Sequence, residues 1–69
     1  MNSNKLYNLL VSFLKVNVKY NKREVYDELL KLEGMNSKKL GGYMSALSRK
    51  NAIAVDKLTI TVLEYAPVE

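Results

Sequence analysis

The sequence predicts an α+β fold, three amphipathic helices followed by a two-stranded β-hairpin. Two patterns predict it. Up to Lys50 the apolar side chains recur every three or four residues, the period of a helix; from Ala52 onward they alternate, the period of a strand. Between the helical stretches stand asparagine, serine and glycine, residues that start and stop helices.

The first helix is expected from Lys5 to Lys15. Leu6, Leu9, Leu10, Phe13 and Leu14 fall on one face, and Ser3 or Asn4 can cap its start. Val16-Asn17-Val18-Lys19-Tyr20 then alternates, and its β-branched and aromatic residues favour a short extended segment at one edge of a small sheet. Asn21 and Glu24 have the spacing of a capping box and open the second helix. Its apolar face is Val25, Tyr26, Leu29, Leu30 and Leu32. Asp27 precedes Lys31 by four residues, the favourable order for an ion pair, and Gly34 can end the helix in the left-handed conformation. Asn36 or Ser37 caps the third helix, which buries Leu40, Met44 and Leu47. Asn51 tolerates positive φ and is expected to stop it.

The hairpin is read with Asp56-Lys57 as a two-residue turn. Val55 then faces Leu58, Ile53 faces Ile60, Ala54 faces Thr59 and Ala52 faces Thr61. That register collects Val55, Leu58, Ile53 and Ile60 on one face and alanine and threonine on the other; a one-residue slip would destroy the sorting. Pro67 ends regular structure, so residues 1–69 make one domain with 66–69 a loose tail.

The chain has 69 residues, no cysteine and no histidine. A domain of this size buries only about 60% of the surface its unfolded chain exposes, so stability rests on a well-patterned core. Disulfides, the common zinc sites, and thiol or Ser-His catalysis are excluded. Glu24, Asp27 and Glu28 cluster on the second helix, where the helix dipole and pairing with lysine account for them better than a cation does. Lys39-Leu40-Gly41-Gly42 lacks the spacing of a phosphate-cradling loop. No enzymatic activity and no cofactor are expected. The longest apolar run is too short to span a bilayer and the N-terminus has no signal-peptide pattern, so a cytoplasmic location is expected, the host's cytoplasm if the gene is viral.

Formal net charge is +4, with a pI of about 9.4. Residues 35–57 hold Lys38, Lys39, Arg49, Lys50 and Lys57 against Asp56 alone, so the excess sits in the third helix and the hairpin. Nine of the eleven basic residues are lysine, the bias of an AT-rich genome such as that of many phages.

The second and third helices are separated by a turn of about three to five residues containing Gly34, the spacing of a helix-turn-helix. With Leu40, Met44 and Leu47 inward, Lys38, Gly42, Ser45 and Arg49 point away from the core. Lys39, Ala46 and Lys50 flank them on one side, Gly41 and Ser48 on the other. This face is basic, small and hydroxylated, and carries no acid. Lysine and arginine neutralise phosphates and donate to guanine, and small side chains let a helix backbone come close. Gly41-Gly42 fits close helix packing or a later helix start equally well. Tyr7, Tyr20, Tyr26, Tyr43 and Tyr65 are spread over several elements near apolar stripes, which places them at core edges rather than on a base-stacking surface.

The stretch Ser37-Lys38-Lys39-Leu40-Gly41-Gly42-Tyr43-Met44-Ser45-Ala46-Leu47-Ser48-Arg49-Lys50-Asn51-Ala52-Ile53 resembles the winged-helix superfamily of DNA-binding domains. In that family a recognition helix ends in a basic pair, then a turn residue, then an aliphatic residue opening the wing; Arg49-Lys50, Asn51 and Ile53 look like these positions. The resemblance implies a three-helix winged helix-turn-helix with a C-terminal wing. It implies that Lys38, Ser45 and Arg49 face bases or phosphates, and that Lys57 at the wing tip touches backbone or minor groove. The wing is very short, Asp56 offsets its one cation, and a glycine pair is unusual inside a recognition helix.

The expected function is therefore binding of double-stranded DNA as a small transcriptional regulator, phage- or mobile-element-encoded. The interface would be Lys38, Lys39, Gly42, Ser45, Arg49, Lys50 and Lys57. One module of this size buries on the order of 600–1,000 Å², which favours a homodimer, through the first helix or the Glu64–Glu69 tail. The rival expectation is a protein-interaction domain that binds and modulates a host protein, and a weaker one is RNA or single-strand binding.

Overall fold

The computed structural model describes residues 2–65, so the expected loose tail at 66–69 lies outside the described residues. Along the chain run α1 (Ser3–Phe13), β1 (Lys19–Asn21), α2 (Lys22–Leu30), α3 (Ser37–Arg49), β2 (Ile53–Val55) and β3 (Thr59–Val62). The strands form an antiparallel sheet in the order β1-β3-β2. This element order and strand order are compatible with winged-helix topology.

Each helix starts on an asparagine. Asn2 Oδ1 accepts from Lys5 N at 2.9 Å, Asn21 Oδ1 from Glu24 N at 3.1 Å, and Asn36 Oδ1 from Lys39 N at 2.9 Å. The first cap corrects the expectation of Ser3 or Asn4: both lie inside α1, which begins two residues earlier than Lys5 and ends at Phe13 rather than Lys15. The helix α2 ends at Leu30, and Gly34 takes its left-handed φ of 76° later, in the turn that follows. There Met35 N donates to Leu32 O at 3.1 Å. The segment between α2 and α3 is thus residues 31–36, slightly longer than expected. Lys31 pairs with Glu28 at 3.0 Å instead of Asp27; both partners are largely exposed, so the pair contributes little.

The end of α3 follows the expectation closely. Asn51 sits at φ 59°, Asn51 N donates to Ser48 O at 3.1 Å, and Ala52 N donates to Leu47 O at 2.9 Å. These are the two hydrogen bonds of a Schellman motif. They turn the chain by satisfying carbonyls that the helix leaves open, and they bury Ala52 against the core.

The hairpin differs from its expected register. Ile53 pairs with Val62, Ala54 with Thr61 and Val55 with Ile60, so the turn is Lys57-Leu58 and not Asp56-Lys57. The slip is two residues, which keeps side-chain parity: Ile53, Val55 and Ile60 still face the core, and Val62 takes the place expected of Leu58. Leu58 is left at the tip, 78% exposed. Ala52 lies opposite Leu63, whose N–H donates to its carbonyl at 2.9 Å. The alternating segment after α1 does become a sheet edge, with Asn17 at φ 64° turning the chain into it and donating to Val62 O at 2.8 Å. Tyr20 Oη accepts from Lys15 N at 2.8 Å and pins this connection.

One core joins all the elements. Leu6, Tyr7 and Leu10 of α1 meet Val25 and Leu29 of α2, Leu40, Met44 and Leu47 of α3, and Ile53, Ile60 and Val62 of the sheet. Phe13, expected on the buried stripe, is instead 47% exposed, because α1 runs out at that residue. Tyr7 lies in the core and spans the molecule: its hydroxyl donates to Leu63 O at 2.6 Å, and its ring meets that of Tyr65 edge to face, with centroids 5.3 Å apart. Tyr20, Tyr26, Tyr43 and Tyr65 lie partly buried against it. Among the described residues no helix is long and apolar enough to cross a membrane.

Candidate functional site

The outward face of α3 is where the sequence puts it. Leu40, Met44 and Leu47 are buried, and Lys38, Gly42, Ser45 and Arg49 are all exposed, as are Lys39, Gly41, Ser48 and Lys50. A side chain added at Gly41 or Gly42 would meet nothing within 4 Å. Close helix packing therefore does not explain the glycine pair, and since α3 already begins at Ser37, neither does a later helix start. Two glycines remain mid-helix that the fold itself does not require, each at a cost of about 1 kcal/mol relative to alanine.

The expected residues do not form a single cluster. Ser45 and Arg49 line a groove of about 440 Å³ between α3 and the start of α2, with Gly41, Met44, Lys22, Tyr26, Ser48 and Val55. Lys39 turns the other way and donates from Nζ to Gly34 O at 3.1 Å. Lys50 reaches back to α1, where its ammonium meets Ser3 Oγ at 3.2 Å. Lys57 sits at the hairpin tip, beside Lys22 and Arg23.

Lys22 and Arg23 are the residues that sequence reasoning missed. They occupy the first turn of α2 together with Glu24, and the first turn of α3 carries Lys38 and Lys39 with no acid. Cations at a helix N-terminus oppose the macrodipole and cost roughly 0.3–1 kcal/mol each at low ionic strength. Both helices of the pair thus begin with an excess of positive potential, the arrangement that backbone N–H groups and a dipole offer to an anion. The signal was present in the sequence as Asn21-Lys22-Arg23, but only the fold sets that start beside Arg49. Lys22 Nζ stands 5.4 Å from the centroid of the Tyr26 ring, a cation–π contact that keeps the ammonium at the groove. Burial raises the Tyr26 hydroxyl above its ordinary pKa near 10, because the phenolate would be poorly hydrated there. Among the described residues the one ion pair is Lys31 to Glu28, so Lys22, Arg23, Lys38 and Arg49 are not held in salt bridges. Among them too, no group of three or more acidic side chains is placed to hold a metal ion.

Compared with models of known protein families, with curated proteins and with solved structures, the chain matches none of them.

Proposed function

We propose that the chain is a winged-helix protein that binds double-stranded DNA, as a small transcriptional regulator, with α3 in the major groove. One observation carries the reading: the exposed, acid-free face of α3 combines Lys38 and Arg49 with two glycines that no internal contact requires. The major groove admits an α-helix, and glycine at positions 41 and 42 would let its backbone lie closer to the base edges. Lys38, Ser45 and Arg49 would contact bases or phosphates. Lys22 and Arg23 at the start of α2 would hold the flanking backbone, as contacts that set register without reading sequence. Lys57 would reach backbone or minor groove from the hairpin tip. Lys39 and Lys50, whose ammoniums are engaged within the domain, would add field rather than direct contacts.

The test is binding to mixed duplex DNA across a salt series, read by fluorescence anisotropy. Five contacting cations predict a slope of log affinity against log salt near −4.5, at about −0.9 per phosphate neutralised. The Lys38→Glu, Arg49→Glu double variant should lose binding with its melting temperature nearly unchanged. Glutamate is favoured at the start of a helix and disfavoured at its end, so the two effects on α3 offset each other. Absence of binding by the native chain at low salt would overturn the reading.

A further inference from the structure

The hairpin tip carries an anomaly that DNA binding does not use. Leu58 is 78% exposed, the most exposed of the large apolar residues described. Turn chemistry does not call for it. Two-residue hairpin turns of the favoured types need positive φ at the first central residue or at both, and the described non-glycine residues with positive φ are Asn17 and Asn51. Leu58 is also held in place: its carbonyl accepts from Lys22 N at 3.0 Å, and Asp56 N donates to Thr59 O at 2.9 Å. The tip is therefore tied to the start of α2 rather than projecting from the domain.

Between tip and helix runs a second groove of about 440 Å³. Tyr26, Leu30 and Leu58 supply its apolar surface, and Lys22, Arg23 and Lys57 supply three cations at its rim against the single carboxylate of Asp27. We infer that this groove docks an acidic protein segment that inserts an aliphatic or aromatic anchor beside Leu58, a surface distinct from the outward face of α3. Charge complementarity names the occupant: the rim favours carboxylates, and the apolar floor has no role for a partner that offers phosphates alone. The concave shape suits an inserted side chain better than a duplex. Because the backbone of Leu58 is fixed before binding, little entropy is lost in presenting it.

The experiment is a titration of isotope-labelled full chain, followed by amide chemical shifts, with a designed amphipathic helical peptide bearing leucines on one face and glutamates on the other. The shifts should concentrate at Lys22, Arg23, Tyr26, Leu30, Lys57 and Leu58. Leu58→Ser should weaken the peptide at least about tenfold, a change of ~1.4 kcal/mol, while leaving the melting temperature and duplex affinity unchanged. A peptide with its leucines replaced by serine should not bind measurably. Equal binding of that leucine-free peptide would reduce the site to charge attraction and overturn the inference. So would shifts confined to the α3 face. Loss of duplex affinity in Leu58→Ser would overturn it in favour of an apolar wedge into DNA, and that outcome leaves the α3 reading standing.

Discussion

Replacing Gly41 and Gly42 by alanine separates what α3 does for the fold from what it does for a partner. Both positions are exposed and lie within an unbroken helix from Ser37 to Arg49. An added Cβ meets no atom within 4 Å at either, so no steric cost offsets the gain in helix propensity. Each change should stabilise by about 0.8–1.0 kcal/mol. Consecutive helix residues do not face each other, so the two gains should add to roughly 2 kcal/mol. For a domain of this size that raises the melting temperature by about 8–16 °C, and urea unfolding should show a higher midpoint at unchanged slope. Duplex affinity should move the opposite way. Gly42 shares its face with Lys38, Ser45 and Arg49, and a methyl there holds the helix off the groove floor; a loss of at least about tenfold, or ~1.4 kcal/mol, is expected. Gly41 lines the neighbouring groove and should matter less. A more stable Gly42→Ala variant that binds duplex unchanged would refute the close-approach argument. A double variant no more stable than the native chain would refute a continuous helix through these residues.

Three further outcomes follow from the packing. Leu47 is fully buried at the meeting of α3 with the rest of the core, so Leu47→Ala should cost about 2–5 kcal/mol in chemical denaturation; a negligible cost would contradict the inward face of α3. Tyr7→Phe removes the donor to Leu63 O in a part-buried bond and should cost about 0.5–1.5 kcal/mol; thermal melts of the two proteins measure it. Tyr26 has a raised pKa in the folded state, from burial. The folded chain therefore holds its proton to higher pH than the unfolded chain does. The associated stability is intact below pH 10 or so and declines as pH rises beyond it. Ultraviolet difference titration should show that Tyr26→Phe removes a phenol ionising above its ordinary pKa, and removal of a phenol that ionises at or below it would contradict the assignment.

How much of this was legible in the sequence depends on which forces are local. The starting caps of α2 and α3, the left-handed stop at Asn51 and the inward stripe of Leu40, Met44 and Leu47 follow from interactions within a few residues, and they appear as read. So does the outward face of α3, because a helix with one buried stripe has only one opposite side. Where two local solutions were nearly equivalent, the reading missed. Asn2 took the cap of α1 over Ser3 or Asn4, and Glu28 took Lys31 over Asp27. The hairpin shows the limit most clearly. Alternation has period two, so it rejects a one-residue slip but cannot distinguish registers two residues apart. The third strand decided between them: β1 pairs along β3 from Lys19 to Asn21 and Lys22 N takes the carbonyl of Leu58, which leaves Lys57-Leu58 as the turn.

The sequence by itself determined the order of elements, the apolar face of each helix and the sign of the charge on α3, since these depend on periodicity and composition. The tertiary structure decided which residues from different elements share a surface. Lys22 stands beside Arg49, Leu58 beside Leu30, and Lys39 and Lys50 are drawn into contacts of their own. Each of those neighbourhoods joins elements brought together by burial of the common core, and burial is a property of the whole chain that no local pattern encodes.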